Sequence, residues 1–223
     1  MAEISAQMVR ELRGKTGAGM MDCKKALTET AGDFTKAEEW LRKKGISKAA
    51  SKGARVAAEG LVGLEVSNGG KLGVMVELNS ETDFVARNDA FVKLLSGLVA
   101  HVARHAPTSL ENLLEQAWTD GKKVKDALTE QIATIGENIS VRRFERYAVE
   151  GGSLGTYLHA NGRIAAMVEV LGSDKPEVAA LAKELAMQVA AMNPKFVSRE
   201  QVPGGVLEKE RGIYREESRK PPP

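Results

Sequence analysis

The chain has 223 residues, 43% of them hydrophobic and 28% charged, with a formal net charge of +2 at pH 7. Such a length and balance bury a sizeable core in one or two domains, and exclude disorder as a whole, since apolar content is high and net charge low. Aromatic residues make up only 4%, which predicts an aliphatic core and favours helices with some aliphatic strands over an aromatic-rich barrel.

Several function classes drop out on the same grounds. No apolar run has the length that spans a bilayer, so no membrane association is expected. The start, Met1-Ala2-Glu3-Ile4, lacks a basic stretch followed by an apolar one, so no signal peptide is expected. A single cysteine, Cys23, cannot close an internal disulfide, which suits a reducing, cytoplasmic compartment. Three histidines (His101, His105 and His159) and one cysteine make a His/Cys zinc site improbable. Neither a Gly-x-Ser-x-Gly nucleophile elbow nor a Walker-type Gly-Lys-Ser/Thr loop occurs. Gly17-Ala18-Gly19 lacks the third glycine of a dinucleotide fingerprint. An enzyme is therefore not expected, and no metal or cofactor.

In chain order, residues 1–45 read as three short helices. Ser5 can cap a helix with Ile4, Met8, Val9 and Leu12 on one side, and the run from Gly14 to Gly19 breaks it. A second helix runs from Met21 to about Thr30, with Cys23, Ala26 and Leu27 as its stripe. Gly32-Asp33 is a stop followed by a cap, and Phe34, Ala37, Trp40 and Leu41 give helical spacing to Gly45. Residues 42–58 then carry Arg42, Lys43, Lys44, Lys48, Lys52 and Arg55 without an acid until Glu59. The segment 46–58 reads as a basic linker, helical or flexible. Its two readings are a solvated connecting face and a nucleic-acid patch. The absence of interleaved aromatics favours the solvated face.

Leu61–Val66 and Lys71–Leu78 flank Ser67-Asn68-Gly69-Gly70, the strongest short-range hairpin signal. A loop from Asn79 to Arg87 follows, and Asn88 or Asp89 caps a helix through Phe91, Leu94, Leu95, Leu98 and Val102. Residues 109–137 look helical with a break at Asp120-Gly121. Val124, Leu128, Ile132 and Ile135 form the inner face of the second half, and Gly136 ends it. Val141–Val149 reads as a strand. The pattern then recurs. Gly63 aligns without gaps with Gly155, Gly70 with Gly162, Lys71 with Arg163 and Val76 with Val168, and a helix striped by Val178, Leu181, Leu185 and Val189 follows. The expected fold is α+β: a three-helix bundle, then two copies of a hairpin-plus-helix unit. The expected boundaries are 59–140 for the first copy with a helical insert, 141–200 for the second and 201–223 for a tail. The copies differ between hairpin and helix. The first carries Ser80–Arg87, the second the shorter Gly172–Lys175, and an extra loop on a repeated scaffold is where function tends to sit.

In that loop, Phe84 with Thr82, Asp83 and Val85 has two readings. The ring can pack under its own loop while Thr82 or Asp83 bonds the local backbone. Alternatively it projects as an apolar anchor into a partner's pocket, with Asp83 at the rim. Met20 and Met21 open the second helix and are either ordinary core or an adaptable partner surface. His159, near the tip of the second hairpin, is simply exposed or touches a partner. Cys23 is most simply a small buried residue.

Three stretches carry a family resemblance. Leu12–Leu27, reading Leu-Arg-Gly-Lys-Thr-Gly-Ala-Gly-Met-Met-Asp-Cys-Lys-Lys-Ala-Leu, resembles the N-terminal signature of bacterial elongation factor Ts. Glu77–Arg87, with Thr82-Asp83-Phe84-Val85, resembles its second signature, and Ile135–Arg143 is similar to a third stretch. The resemblance implies a guanine-nucleotide exchange factor for the GTPase elongation factor Tu, with a ubiquitin-associated-like (UBA-like) N-terminal bundle and a core of two related subdomains. It implies that Asp83 and Phe84 wedge near the GTPase's magnesium site, that Met20 and Met21 contact its nucleotide domain, and that His159 faces another of its domains. No direct nucleic-acid contact is implied. In the family, the stretch like Val206–Tyr214 continues into a long helical hairpin. Here Lys220-Pro221-Pro222-Pro223 cannot continue a helix, so that hairpin and the module after it are expected to be missing. The rival reading is an adaptor or RNA-binding module with a basic linker.

Overall fold

The computed structural model describes residues 4–119 and 121–219. The expectations placed on Met1-Ala2-Glu3, on Asp120 and on the Lys220–Pro223 run lie outside the described residues. Helices α1 (Ala6–Thr16), α2 (Met20–Glu29) and α3 (Phe34–Lys52) form the N-terminal bundle. Ser5 caps α1 by accepting from the Met8 amide at 3.2 Å, and Asp33 caps α3 by accepting from Lys36 at 3.0 Å. Gly17 ends α1 at φ 67°, a left-handed conformation that glycine adopts without strain. Val9, Leu12, Cys23, Ala26, Leu27, Ala37 and Leu41 fill the bundle's interior, and these include the stripe positions that the periodicity predicts for α2.

The third helix does not stop at Gly45. It continues to Lys52 and lies against α7 (Val124–Ile135). A glycine inside a helix costs about 1 kcal/mol relative to alanine, but here it permits the contact: a Cβ on Gly45 would sit 3.1 Å from the Ala133 Cβ. Ala49, one turn on, joins the main core. Most of the stretch expected to be a linker is thus a packed helix up to Lys52. Its basic residues have partners within the chain. Lys44 and Lys48 donate to the Asp22 carboxylate at 2.7 and 2.5 Å, Lys52 donates to the Gly136 carbonyl, and Arg55 lies 3.5 Å from Glu81.

Strands β1 (Glu59–Ser67), β2 (Leu72–Ser80) and β3 (Ile139–Ala148) form an antiparallel sheet with β2 central. Asn68, Gly69 and Gly70 turn the first hairpin with φ of 52°, 64° and 86°. Residue 141, where the sequence reading opens a second subdomain, falls inside β3, which runs along β2 from Ile139↔Ser80 to Ala148↔Leu72. That pairing joins residues 59 to 76 positions apart, so no local signal announces it. Helices α4 (Asp83–Ala86), α5 (Asp89–His105), α6 (Leu110–Glu115) and α7 complete this unit. Val74, Val76 and Leu78 on one face of β2 meet Phe91, Leu95, Leu98 and Val102 of α5, and Leu113, Val124, Leu128 and Ile132 extend the same core.

Strands β4 (Gly152–Leu158) and β5 (Ala165–Leu171) form a second, two-stranded sheet under α8 (Pro176–Met192), and α9 spans Gly204–Glu217. The α8 stripe differs from expectation. Ala182 and Ala186 are buried, whereas Leu181, Leu185 and Val189 stay 48%, 39% and 36% exposed. The reason is a backbone approach. A Cβ on Gly155 would lie 1.9 Å from the Ala182 carbonyl carbon and 2.3 Å from the Lys183 nitrogen. Only small side chains fit beneath a helix that close, so the bulkier leucines turn aside. At Gly63 of the first hairpin an added Cβ would meet side chains of α5 and not its backbone, with Val99 Cγ2 at 2.6 Å.

Two outcomes follow from this packing. Gly155→Ala forces backbone against backbone, and thermal melting should show a loss of about 3 kcal/mol. Gly151→Ala, with nothing within 4 Å of its added Cβ, should leave that unit's stability nearly unchanged; equal losses would refute the close-approach account. The hydrogen bonds from Lys44 and Lys48 hold the Asp22 carboxyl below its usual range. A depressed carboxylate stabilises the fold above its unfolded pKa and ceases to as pH falls through the folded one. Wild type should therefore melt above Asp22→Asn at pH 6, and the gap should close as pH drops below about 4.

Candidate functional site

The loop after β2 is built from within. The buried Ser80 hydroxyl donates to the Thr82 carbonyl at 2.9 Å. Thr82 caps the four-residue α4, its Oγ1 accepting from the Val85 amide at 3.5 Å. In this single turn Ala86 is buried and Val85 packs against the main core. Successive helical residues are about 100° apart, so turning 85 and 86 inward turns 84 outward. Phe84 is 82% exposed. The ring does not pack under its own loop. Asp83 beside it pairs with Arg87 at 3.1 Å, an exposed i,i+4 pair of small energetic weight.

The base of the loop is held by a reciprocal pair of carboxylates. Glu137, just past Gly136 at the end of α7, accepts from the Thr82 amide at 2.9 Å with one oxygen and from the Thr82 hydroxyl at 2.6 Å with the other. Glu81 accepts from the Asn138 amide at 2.7 Å. The Asn138 side chain donates to the Arg55 carbonyl at 2.8 Å. Charge-assisted bonds of this kind are about twice as strong as neutral ones. They tie the exit of α3, the turn after α7 and the start of α4 into one knot. Sequence reading assigns this clamp to none of Glu81, Glu137, Asn138 and Arg55: Arg55 reads only as part of the basic run, and the other three only as members of the family-like stretches Glu77–Arg87 and Ile135–Arg143. The partners lie 55 to 83 residues apart, so no spacing rule reveals them.

Met20 and Met21 open α2 at 43% and 75% exposure, so they are not core. Just after them Cys23 is fully buried, and burial pushes its thiol pKa up, consistent with an inert packing residue. The turn before them also approaches α7: a Cβ on Gly17 would stand 3.7 Å from Thr134 Cγ2, one turn ahead of Glu137. The structure thus brings Thr82, Asp83, Phe84 and Val85 into one turn, and joins the bundle that carries Met20 and Met21 to α7 through α3. His159 stands apart on the second hairpin. It is exposed, its Nδ1 lies 2.8 Å from the Tyr157 hydroxyl, and the hairpin tip docks on β1 through Val62 N–H to the Gly162 carbonyl at 2.8 Å and Arg163 to Glu59 at 2.6 Å.

Among the described residues no three His, Cys, Asp or Glu side chains gather as metal ligands. Two open hollows of about 400 and 330 Å³ lie beside Arg142–Arg146 and between Glu59 and Ile164, and neither includes Phe84, Met20 or His159. No helix among the described residues is long and apolar enough to cross a membrane. What the loop offers is a rigidly based aromatic ring in solvent beside a carboxylate, which suits docking.

Comparison with known proteins agrees. Residues 81–222 match the family described as "Elongation factor TS", and residues 1–52 match "Elongation factor Ts, mitochondrial, N-terminal". The chain is 50% identical over 213 residues to elongation factor Ts of Clostridium botulinum (strain Eklund 17B / Type B), covering 95% of this chain and 70% of that one. It is 49% identical over 221 residues to that of Symbiobacterium thermophilum, covering 96% and 70%. Against the protein of Nostoc punctiforme the identity is 51% over 225 residues, covering 96% and 71%. With half its residues matched along almost its whole length, the chain belongs to the elongation factor Ts family.

Proposed function

We propose that this translation elongation factor promotes release of GDP, and so GDP/GTP exchange, on the GTPase elongation factor Tu. Phe84 acts as a wedge near the partner's magnesium and nucleotide site. The observation that carries this reading is the fully presented ring of Phe84 on a base clamped by Glu137. Exchange needs neither nucleophile nor proton transfer, so the protein acts in the cytoplasm as a binding factor and not as an enzyme, without a cofactor. A factor that binds best to the nucleotide-free GTPase weakens nucleotide binding by the same coupling factor. Phe84 displaces the segment that positions the metal, Asp83 bonds at the rim, and Thr82 and Val85 hold the turn. Met20 and Met21 supply a second, adaptable contact on the nucleotide domain, and His159 a third on another domain.

The architecture fits this use. In our reading the N-terminal bundle is UBA-like and the two hairpin-plus-helix units derive from one duplicated subdomain. Both units carry a glycine where the helix crosses the hairpin, Gly63 and Gly155. The adaptor or RNA-binding alternative is weakened, because Lys44, Lys48, Lys52 and Arg55 bond within the chain, which leaves the exposed Arg42 and Lys43 as the rest of the basic run.

Burying one phenylalanine contributes roughly 1.5–3 kcal/mol, which at ~1.4 kcal/mol per decade is about ten- to a hundredfold. Phe84→Ala should slow stopped-flow release of a fluorescent GDP analogue from elongation factor Tu by that factor. A wild-type rate would refute the wedge. The stimulated rate should also fall only modestly between 50 and 200 mM salt, whereas a steep loss of binding would favour the polyanion reading.

A further inference from the structure

Phe84 has no side-chain contact that fixes it, yet a wedge works only if its direction is set before the partner arrives, since ordering on binding subtracts from affinity. Direction is set at Thr82, the N-cap of α4. Its amide and its hydroxyl both donate to Glu137, at 2.9 and 2.6 Å, one to each carboxylate oxygen. The hydroxyl proton is thereby committed to Glu137, which leaves the Oγ1 lone pairs free to accept from Val85 and close the turn that turns Phe84 outward. Glu137 cannot follow the loop if it moves. It follows Gly136, whose carbonyl accepts from Lys52 of α3, and precedes Asn138, whose amide is held by Glu81 and whose side chain donates to the Arg55 carbonyl.

We propose that Glu137 is a positioning residue for Phe84: its carboxylate, anchored on α3 and α7, clamps Thr82 and so presets the α4 turn that aims the ring. The assignment rests on the exchange reading above for its consequence, but its physical core is a property of the free protein. Glu137 works through Thr82, and its loss blunts the wedge without removing the ring.

The test compares Glu137→Ala, Glu137→Gln, Phe84→Ala and the double variant Phe84→Ala/Glu137→Ala. The readouts are GDP release from elongation factor Tu across a full concentration series, and amide hydrogen exchange of residues 82–88 in the free proteins. Glu137→Ala should lower the maximal release rate about tenfold, the worth of one charge-assisted bond, with a smaller change in the half-saturating concentration. Glu137→Gln, which keeps one acceptor oxygen, should recover part of that loss. In the Phe84→Ala background, Glu137→Ala should cost less than twofold further, because both changes disable one device. Exchange at the Thr82 and Val85 amides should quicken at least tenfold in Glu137→Ala.

A wild-type maximal rate for Glu137→Ala, or a tenfold loss repeated in full when Phe84 is already alanine, would overturn the proposal. Should Glu137→Ala not fold, Thr82→Val, which removes the hydroxyl and keeps the amide, takes its place in the same comparison. Should Phe84→Ala itself release GDP at the wild-type rate, the exchange reading fails. The amide exchange of residues 82–88 then decides the positioning claim alone, upheld by quickening and overturned by its absence.

Discussion

One carboxylate, that of Glu137, spans the amide and hydroxyl of Thr82, and the arrangement of the exposed loop depends on it. A four-residue helix does not hold itself: nucleating a turn fixes several backbone angles for a single hydrogen bond. The α4 turn persists because its cap is bonded from outside, and because Val85 and Ala86 reach the main core. The ring between cap and core anchors is then the one large side chain of the turn left in water.

The same knot joins parts that chain order separates. α3 leaves the N-terminal bundle and, instead of ending at Gly45, lies along α7 and delivers Lys52 and Arg55 to the turn beside Glu137. Part of a basic run that looks solvated or nucleic-acid-binding is used in joining helices: Lys44 and Lys48 fix α2 to α3 through Asp22. Part-buried bonds to charged groups contribute more than exposed pairs, which are screened and entropically costly. The bundle that carries Met20 and Met21 and the loop that carries Phe84 are thereby referred to one helix. The proposed wedge would need such stiffness, since a compliant one would yield before its target did.

Packing in the two sheet units follows one geometric idea. Glycine on the strand makes room for the helix above it, for the Val99 and Leu95 side chains at Gly63 and for the helix backbone itself at Gly155 against Ala182. The consequences differ. α5 lies on β1 and β2 and buries large residues in the main core. α8 covers only two strands, buries Ala182 and Ala186, and leaves its leucines exposed.

Local information in the sequence determined a good deal by itself. Caps at Ser5, Asp33 and Asn88, the left-handed stops at Gly17 and Gly136, the Asn68-Gly69 hairpin and the apolar periods of α1, α2 and α5 all act within a few residues, where pattern and structure coincide. Motif likeness reached the family as well. Tertiary structure alone decided the rest: that α3 runs through Gly45, that β3 belongs beside β2, that the α8 leucines face outward, and that Glu137 clamps Thr82. Each of these is settled by which surface lies opposite, across tens of residues of chain, and period and propensity carry no information about a neighbour that only folding brings near.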